Sequence, residues 1–375
     1  MATPKNVVEL TRELVRINSM NPPGRERECA YFVGRILQES GLLVTYHEFA
    51  DGRTSLIARL SGTGSKSPLC FAGHIDTVPL GANPWSKDPF AGEISDGKLY
   101  GRGSCDMKAG VAAYVWIAQQ LAKLPKPKAD LLFIAVAGEE TGCQGSFHLV
   151  QAKALGSAGA LVVAEPTSNY PIIGHRGALW LEVEATGVTA HGSMPHLGVN
   201  AIYKAARAIN KVANFKFDIA SHPQLGAPTY NVGTVQGGLN INSVPDRAVF
   251  SIDLRTIPGQ VHEEIQRELQ RYLGDEVTTR AVVDVPGVWT EADNTWIKEV
   301  FDIVTPIIGE GPTKRGLPAF TDAAALTPGF GGVPTVILGP GDTELAHRTD
   351  EYCRVSKIEE VCHIYETIVR HWCEL

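Results

Sequence analysis

Val7, Val8, Leu10, Leu14 and Val15 recur at helical spacing and predict a first helix. A second is predicted after Pro22-Pro23-Gly24, burying Tyr31, Phe32, Ile36 and Leu37. Short apolar runs follow at 55–60, 68–71, 131–137 and 160–164, each bounded by Gly, Pro or charged residues. Runs of this length fit buried strands of a parallel or mixed sheet. Between them, 107–124 is rich in Ala, Val and Ile and reads as a packed helix.

The pattern changes near Arg176. Leu181, Val183 and Ala185 alternate with Trp180, Glu182 and Glu184, and Ala248, Phe250, Ile252 and Leu254 alternate with Arg247, Ser251, Asp253 and Arg255. Such alternation predicts strands with one solvated face. Helical stretches at 199–212 and 261–273 lie between and after them. Strand, helix, strand, strand, helix describes a small α+β unit of ferredoxin-like type, ending near Val285-Pro286-Gly287. The expected organisation is α/β: one domain from 1–175 and 286–375, interrupted by 176–285. A buried strand at 333–338 and a helix carrying Val355, Ile358, Val361, Ile364 and Ile368 close the chain, with no internal repeat or low-complexity segment.

Composition narrows the function classes. The 375 residues are 44% hydrophobic, ample for a core, and the net charge of −7 favours neither nucleic acid nor an anionic membrane. No run of 18 apolar residues predicts a transmembrane helix, and Met1-Ala2-Thr3-Pro4-Lys5-Asn6 lacks a signal-peptide layout. Seven cysteines with no Cys-x-x-Cys pair point to reduced thiols and a cytoplasmic protein, with Cys105 and Cys143 as buried filler.

Five side chains in separate motifs then change the picture. They are His74 in Gly73-His74-Ile75-Asp76, Asp106 in Gly101-Arg102-Gly103-Ser104-Cys105-Asp106-Met107-Lys108, Glu140 in Gly138-Glu139-Glu140-Thr141-Gly142, Glu165 in Ala164-Glu165-Pro166, and His347 in Ala346-His347-Arg348. Each is expected where a buried strand hands over to a loop, the place where open α/β sheets build sites. Singly they have bland alternatives: Asp106 as a helix cap, Glu139-Glu140 as a helix start, Glu165-Pro166 as a turn. Together they supply three carboxylates and two imidazoles, the donor set of two zinc ions sharing a bridging Asp. Asp76, two residues on, is expected to accept the second ring N–H of His74. Glu140 is assigned as ligand and its neighbour Glu139 as general base, with its pKa raised; a metal-bound water is the expected nucleophile in amide hydrolysis.

On these motifs the chain resembles the zinc-dependent M20 amidohydrolases and peptidases, from Ser19-Met20-Asn21-Pro22-Pro23-Gly24 to the final helix. The resemblance implies a mixed-sheet catalytic domain of aminopeptidase-like type with an inserted ferredoxin-like lid that usually forms a homodimer. It implies that His74 and Glu165 hold one zinc and Glu140 and His347 the other, with Asp106 bridging; Co2+ or Mn2+ could substitute. Gly187-Val188-Thr189-Ala190-His191-Gly192-Ser193-Met194-Pro195 is similar to the family's histidine motif, implying that His191 donates to the developing oxyanion, in cis or from a partner subunit. Asn242 resembles an Asn near the scissile carbonyl, and Arg255 could grip a substrate carboxylate, against the alternative of a surface pair with Asp253. Where many relatives carry Gly-Thr-Asp or Thr-Ser-Asp, this chain has Phe320-Thr321-Asp322-Ala323, so Thr321 joins the expected substrate contacts while the acyl preference stays open.

The leading expectation is a deacylase of N-acyl amino acids, of acetylornithine deacetylase type. The alternatives are a dipeptidase or carboxypeptidase on the same scaffold, and a non-catalytic binding protein of the same fold.

Overall fold

The computed structural model describes residues 4–64 and 66–375. Met1–Thr3, part of the N-terminal stretch read above for a signal peptide, lie outside the described residues. Along the chain run α1 (Val7–Arg16), α2 (Glu26–Glu39), β1 (Leu43–Ala50), β2 (Arg53–Leu60), β3 (Lys66–His74), α3 (Ala109–Leu121), β4 (Ala129–Val136), α4 (Gln144–Gln151) and β5 (Ala160–Val163). Then come β6 (Gly177–Thr186), α5 (Ala201–Val212), β7 (Thr229–Gly237), β8 (Arg247–Thr256), α6 (His262–Leu273) and β9 (Val277–Val285). The chain closes with α7 (Thr295–Ile308), α8 (Ala323–Gly329), β10 (Thr335–Ile337) and α9 (Val355–Cys373). Contacts divide these into two compact units: 1–174 with 289–315 and 321–375, and 175–288 with 316–320.

In the larger unit one mixed sheet has the order β1-β2-β4-β3-β5-β10. Strands β3, β4, β5 and β10 are parallel, while β1 and β2 add antiparallel at one edge. Burial explains the sequence: β4, Ala-Asp-Leu-Leu-Phe-Ile-Ala-Val, is central and buried at every position, whereas the edge strand β1 is half-solvated. Leu131 and Phe133 of β4 join a core with Phe71, Tyr114 and Tyr365. Phe71 stacks on Phe133 at 5.8 Å and meets Tyr365 edge-on at 5.1 Å. Burying each such ring stabilises the fold by about 1.5–3 kcal/mol. Helix α3 is enclosed almost all round, which its run of Ala and Gly permits.

Two expectations are corrected here. Tyr31 is not buried with Phe32, Ile36 and Leu37: it is 49% exposed and lies 4.5 Å from the ring of Tyr46. The helix predicted from Met107 starts at Ala109, because Asp106 and Met107 have non-helical dihedrals in a π-type turn, Ser104–Lys108.

The smaller unit is a four-stranded antiparallel sheet, β7-β8-β6-β9, with α5 and α6 on its apolar face. It is the expected ferredoxin-like α+β arrangement. Leu181, Val183, Ala185, Ala248, Phe250, Ile252 and Leu254 all point into its core. The fourth strand, β9, was absent from the sequence pattern read above.

Candidate metal centre and active site

Strand register sets the first three side chains. His74 ends β3 level with Val136 of β4, and Glu139 and Glu140 follow within four residues. Ala72 is level with Val163 of β5, so Glu165 stands two residues beyond its strand pair, as His74 does. His347 follows β10 on a loop, held at a φ of 64°, and its side chain is 53% exposed.

Asp106 departs from the expected pattern, because it follows no strand of the main sheet. It sits in the turn before α3, and that turn is held by Glu351. The Glu351 carboxylate accepts the peptide N–H groups of Gly103, Cys105 and Asp106 at 3.1, 2.8 and 3.0 Å. It also pairs with the Arg102 guanidinium at 2.6 Å, both side chains being essentially inaccessible. Gly110 completes the placement: a Cβ there would lie 2.2 Å from the Ala164 carbonyl, so only glycine lets α3 approach the Glu165 loop so closely.

The result is convergence. One oxygen of Asp106, Oδ1, is 3.0 Å from His74 Nε2, and the other, Oδ2, is 3.3 Å from His347 Nε2. Glu165 Oε2 lies 3.9 Å from His74 Nε2, and Glu140 Oε2 lies 3.1 Å from His347 Nε2. His74, Asp106 and Glu140 can each offer a donor atom within 4.8 Å of the others. Burial pushes the Glu165 and Glu140 carboxyls up, as neighbouring carboxylates also do. Hydrogen bonds to Asp106 and Glu140 push His347 up to about 10. Glu140 Oε1 and Glu165 Oε1 are buried with no hydrogen-bond partner among the described residues. Bare buried carboxylate oxygens are costly, and this donor set of three carboxylates and two imidazoles fits divalent cations.

Glu139 is buried beside this cluster, and burial raises its carboxyl well above the usual range. Cys143 Sγ lies 3.9 Å from its Oε1. The Asp76 carboxylate has a different task from the expected one. The Nδ1–H of His74 goes to the Asp76 backbone carbonyl at 2.9 Å, while the carboxylate Oδ1 is 3.5 Å away. That follows from β3 ending at His74, so the two residues do not share a strand face. The carboxylate instead accepts the N–H groups of Glu139 and Glu140 at 3.1 and 3.2 Å and the Asn21 amide at 2.9 Å, which fixes the Glu-Glu turn.

Thr321 is buried, and its hydroxyl accepts the Ala323 N–H at the start of α8. Its neighbour Asp322, also buried, accepts from Ser146 and is raised to about 6 by burial. In the smaller unit, His191 and Asn242 lie on either side of one short ladder, where Ala190 and His191 pair with Val244 and Ser243 and Gly192 N–H donates to the Asn242 carbonyl at 2.8 Å. Arg255 pairs with Asp253 at 2.9 Å and lies over the Trp180 ring. Glu351, Asn21 and Asp322 were not singled out as site residues. Asn21 lay inside a quoted motif, but Glu351 carries no sequence signal beyond being acidic four residues after His347.

The fold is that of metal-dependent peptidases. A metallo-carboxypeptidase of the M20 family from Sulfolobus solfataricus superposes with a TM-score of 0.82 at 17% identity, covering 99% of this chain and all of that one. A dinuclear metal-binding M20 peptidase from Bacillus subtilis gives 0.72 at 16% identity, with 98% of each chain covered. The chain belongs to peptidase family M20/M25/M40, whose family model matches residues 70–371, and is an amidohydrolase or peptidase of that family. It is 32% identical to acetylornithine deacetylase of Myxococcus xanthus over 355 residues, 90% of each chain. It is 28% identical to a probable succinyl-diaminopimelate desuccinylase of Staphylococcus epidermidis over 403 aligned positions, 98% of each.

Proposed function

We propose that this protein removes the acyl group from an N-acyl amino acid, with N-acetylornithine as the first substrate to try. The observation that carries the reading is the Asp106 carboxylate, whose two oxygens face different imidazoles, as a bridging ligand's must. His74 and Glu165 would hold one zinc, His347 and Glu140 the other, with cobalt or manganese as workable replacements. Bound there, the two cations supply Lewis-acid polarisation of the scissile carbonyl and acidify a water. Glu139, buried and raised, takes the water's proton and returns it to the leaving nitrogen. Asp76 keeps Glu139 and Glu140 in register through their peptide N–H groups.

On the substrate side, His191 is the donor to the oxyanion, Asn242 its neighbour on the same ladder, and Arg255 the group for a free carboxylate. Thr321 contributes through the position of its loop, since its hydroxyl caps α8. Leu239 and Ile241 are fully exposed, and Val188, Leu197 and Val235 are more than half exposed, which supports a homodimer formed by the smaller unit. Seven free cysteines support a reducing, cytoplasmic setting. No helix of the described residues is long and apolar enough to cross a membrane.

The test is hydrolysis of N-acetylornithine by zinc-loaded and metal-stripped protein. Zinc-dependent release of ornithine is expected. No release with both metals bound would reject the acetyl substrate, and turnover of dipeptides instead would move the reading to a dipeptidase.

A further inference from the structure

His191 begins a tight turn that folds back on its own ring. Met194 N–H donates to the His191 carbonyl at 2.8 Å, closing a four-residue turn with Gly192 and Ser193 at its centre. Inside that turn the Ser193 peptide N–H points at His191 Nδ1, 3.1 Å away, and the Ser193 hydroxyl lies 2.8 Å from the same nitrogen. A peptide N–H can only donate, so Nδ1 must be the acceptor. The hydroxyl, facing the same lone pair, therefore donates as well. An imidazole whose Nδ1 accepts carries its proton on Nε2. The His191 side chain is exposed, and Nε2 has no hydrogen-bond partner among the described residues.

We propose that Ser193 is a positioning residue whose peptide N–H and hydroxyl together hold neutral His191 with its proton on the outward Nε2. This rests on the reading of His191 as an oxyanion donor and supplies what that reading lacks, a reason for the proton to be on the outward nitrogen. A donor in the wrong tautomer presents a lone pair to a developing negative charge. Ser193 also limits rotation of the ring, because two donors of one residue meet the same ring nitrogen.

The experiment uses the full-length, zinc-loaded protein labelled with 15N only in histidine. The His191 signals are assigned with His191→Gln. His222 provides an internal reference, because its Nδ1 likewise accepts peptide N–H groups, from Gln224 and Leu225 at 3.3 and 3.2 Å. In the wild type, His191 should show the proton on Nε2 alone. In Ser193→Ala the peptide N–H at position 193 still donates to Nδ1, so the proton should stay on Nε2. Loss of the second donor should move the His191 Nδ1 shift and leave that of His222 in place, and Ser193→Thr should restore the wild-type shift. A mixture of tautomers or a proton on Nδ1 in the wild type, or a His191 Nδ1 shift unmoved in Ser193→Ala, overturns the assignment.

Kinetics separate this failure from failure of the oxyanion reading. Ser193→Ala should lower kcat roughly three- to tenfold, less than outright loss of an oxyanion donor, with KM and metal content unchanged. If His191→Gln turns over like the wild type, the oxyanion role falls, while the spectra still decide the tautomer.

Discussion

Glu351 accepts the peptide N–H of Asp106 at 3.0 Å, across 245 residues of chain. One carboxylate thereby ties the turn carrying the bridging candidate to the loop carrying His347, and the buried Arg102 guanidinium neutralises it. Glu351→Gln should leave Arg102 buried without a counter-charge and cost about 3–5 kcal/mol of stability. Metal content per chain should fall with it. Denaturant unfolding and metal analysis check this, and a variant of wild-type stability with both metals would refute the role.

Glu139→Gln removes the base but no proposed ligand. Both metals should remain while turnover falls by a factor on the order of 10² to 10⁴. Metal analysis beside kcat/KM reads both halves, and a variant keeping most of its activity would exclude Glu139 as the base.

The two imidazoles differ in access: His74 is 1% exposed and His347 is 53% exposed. Chelation should therefore remove metal in two phases, the faster from the His347 side. His347→Ala should bind one metal fewer and show a smaller rise in Tm on adding zinc, since ligand binding stabilises the folded state by mass action. Undiminished metal content in that variant would take His347 off the list of ligands.

His175 gives a pH prediction outside the metal site. Burial lowers its pKa to about 4, and its Nδ1–H donates to the Arg176 carbonyl while Nε2 stays buried without a partner among the described residues. Between pH 6.5 and about 4 the unfolded chain binds a proton here that the folded chain does not. Its contribution is thus fully present above pH 6.5 and lost as the pH falls toward 4, by about 3 kcal/mol in all. Unfolding free energies measured across that range should show a steeper acid limb in the wild type than in His175→Gln. Parallel curves would exclude His175 as a source.

Much of this was legible in the chain because it is local. Period-two burial in β6 and β8 and the continuous apolar run of β4 name their own environments. The donors at His74, Glu140 and Glu165 follow once the sheet is parallel. What the sequence hid depends on distant partners. Tyr31 fits the helical stripe, yet it lies half-exposed against the Tyr46 ring. Asp76 looked like a strand neighbour of His74, but the strand stops first, and the carboxylate serves the Glu-Glu turn instead. Glu351 became visible only when the last loop folded back onto the turn before α3.

The close approach at Gly110 has a further consequence. The turn bearing Asp106 and the loop bearing Glu165 are gauged by main chain against main chain, with no room for a methyl group between them. The span across that side of the centre is therefore a fixed dimension of the scaffold, one that only a side chain at Gly110 itself would widen. Divergence of chemistry on this frame has to come from which donors line the span and what surrounds it, since its width is already taken.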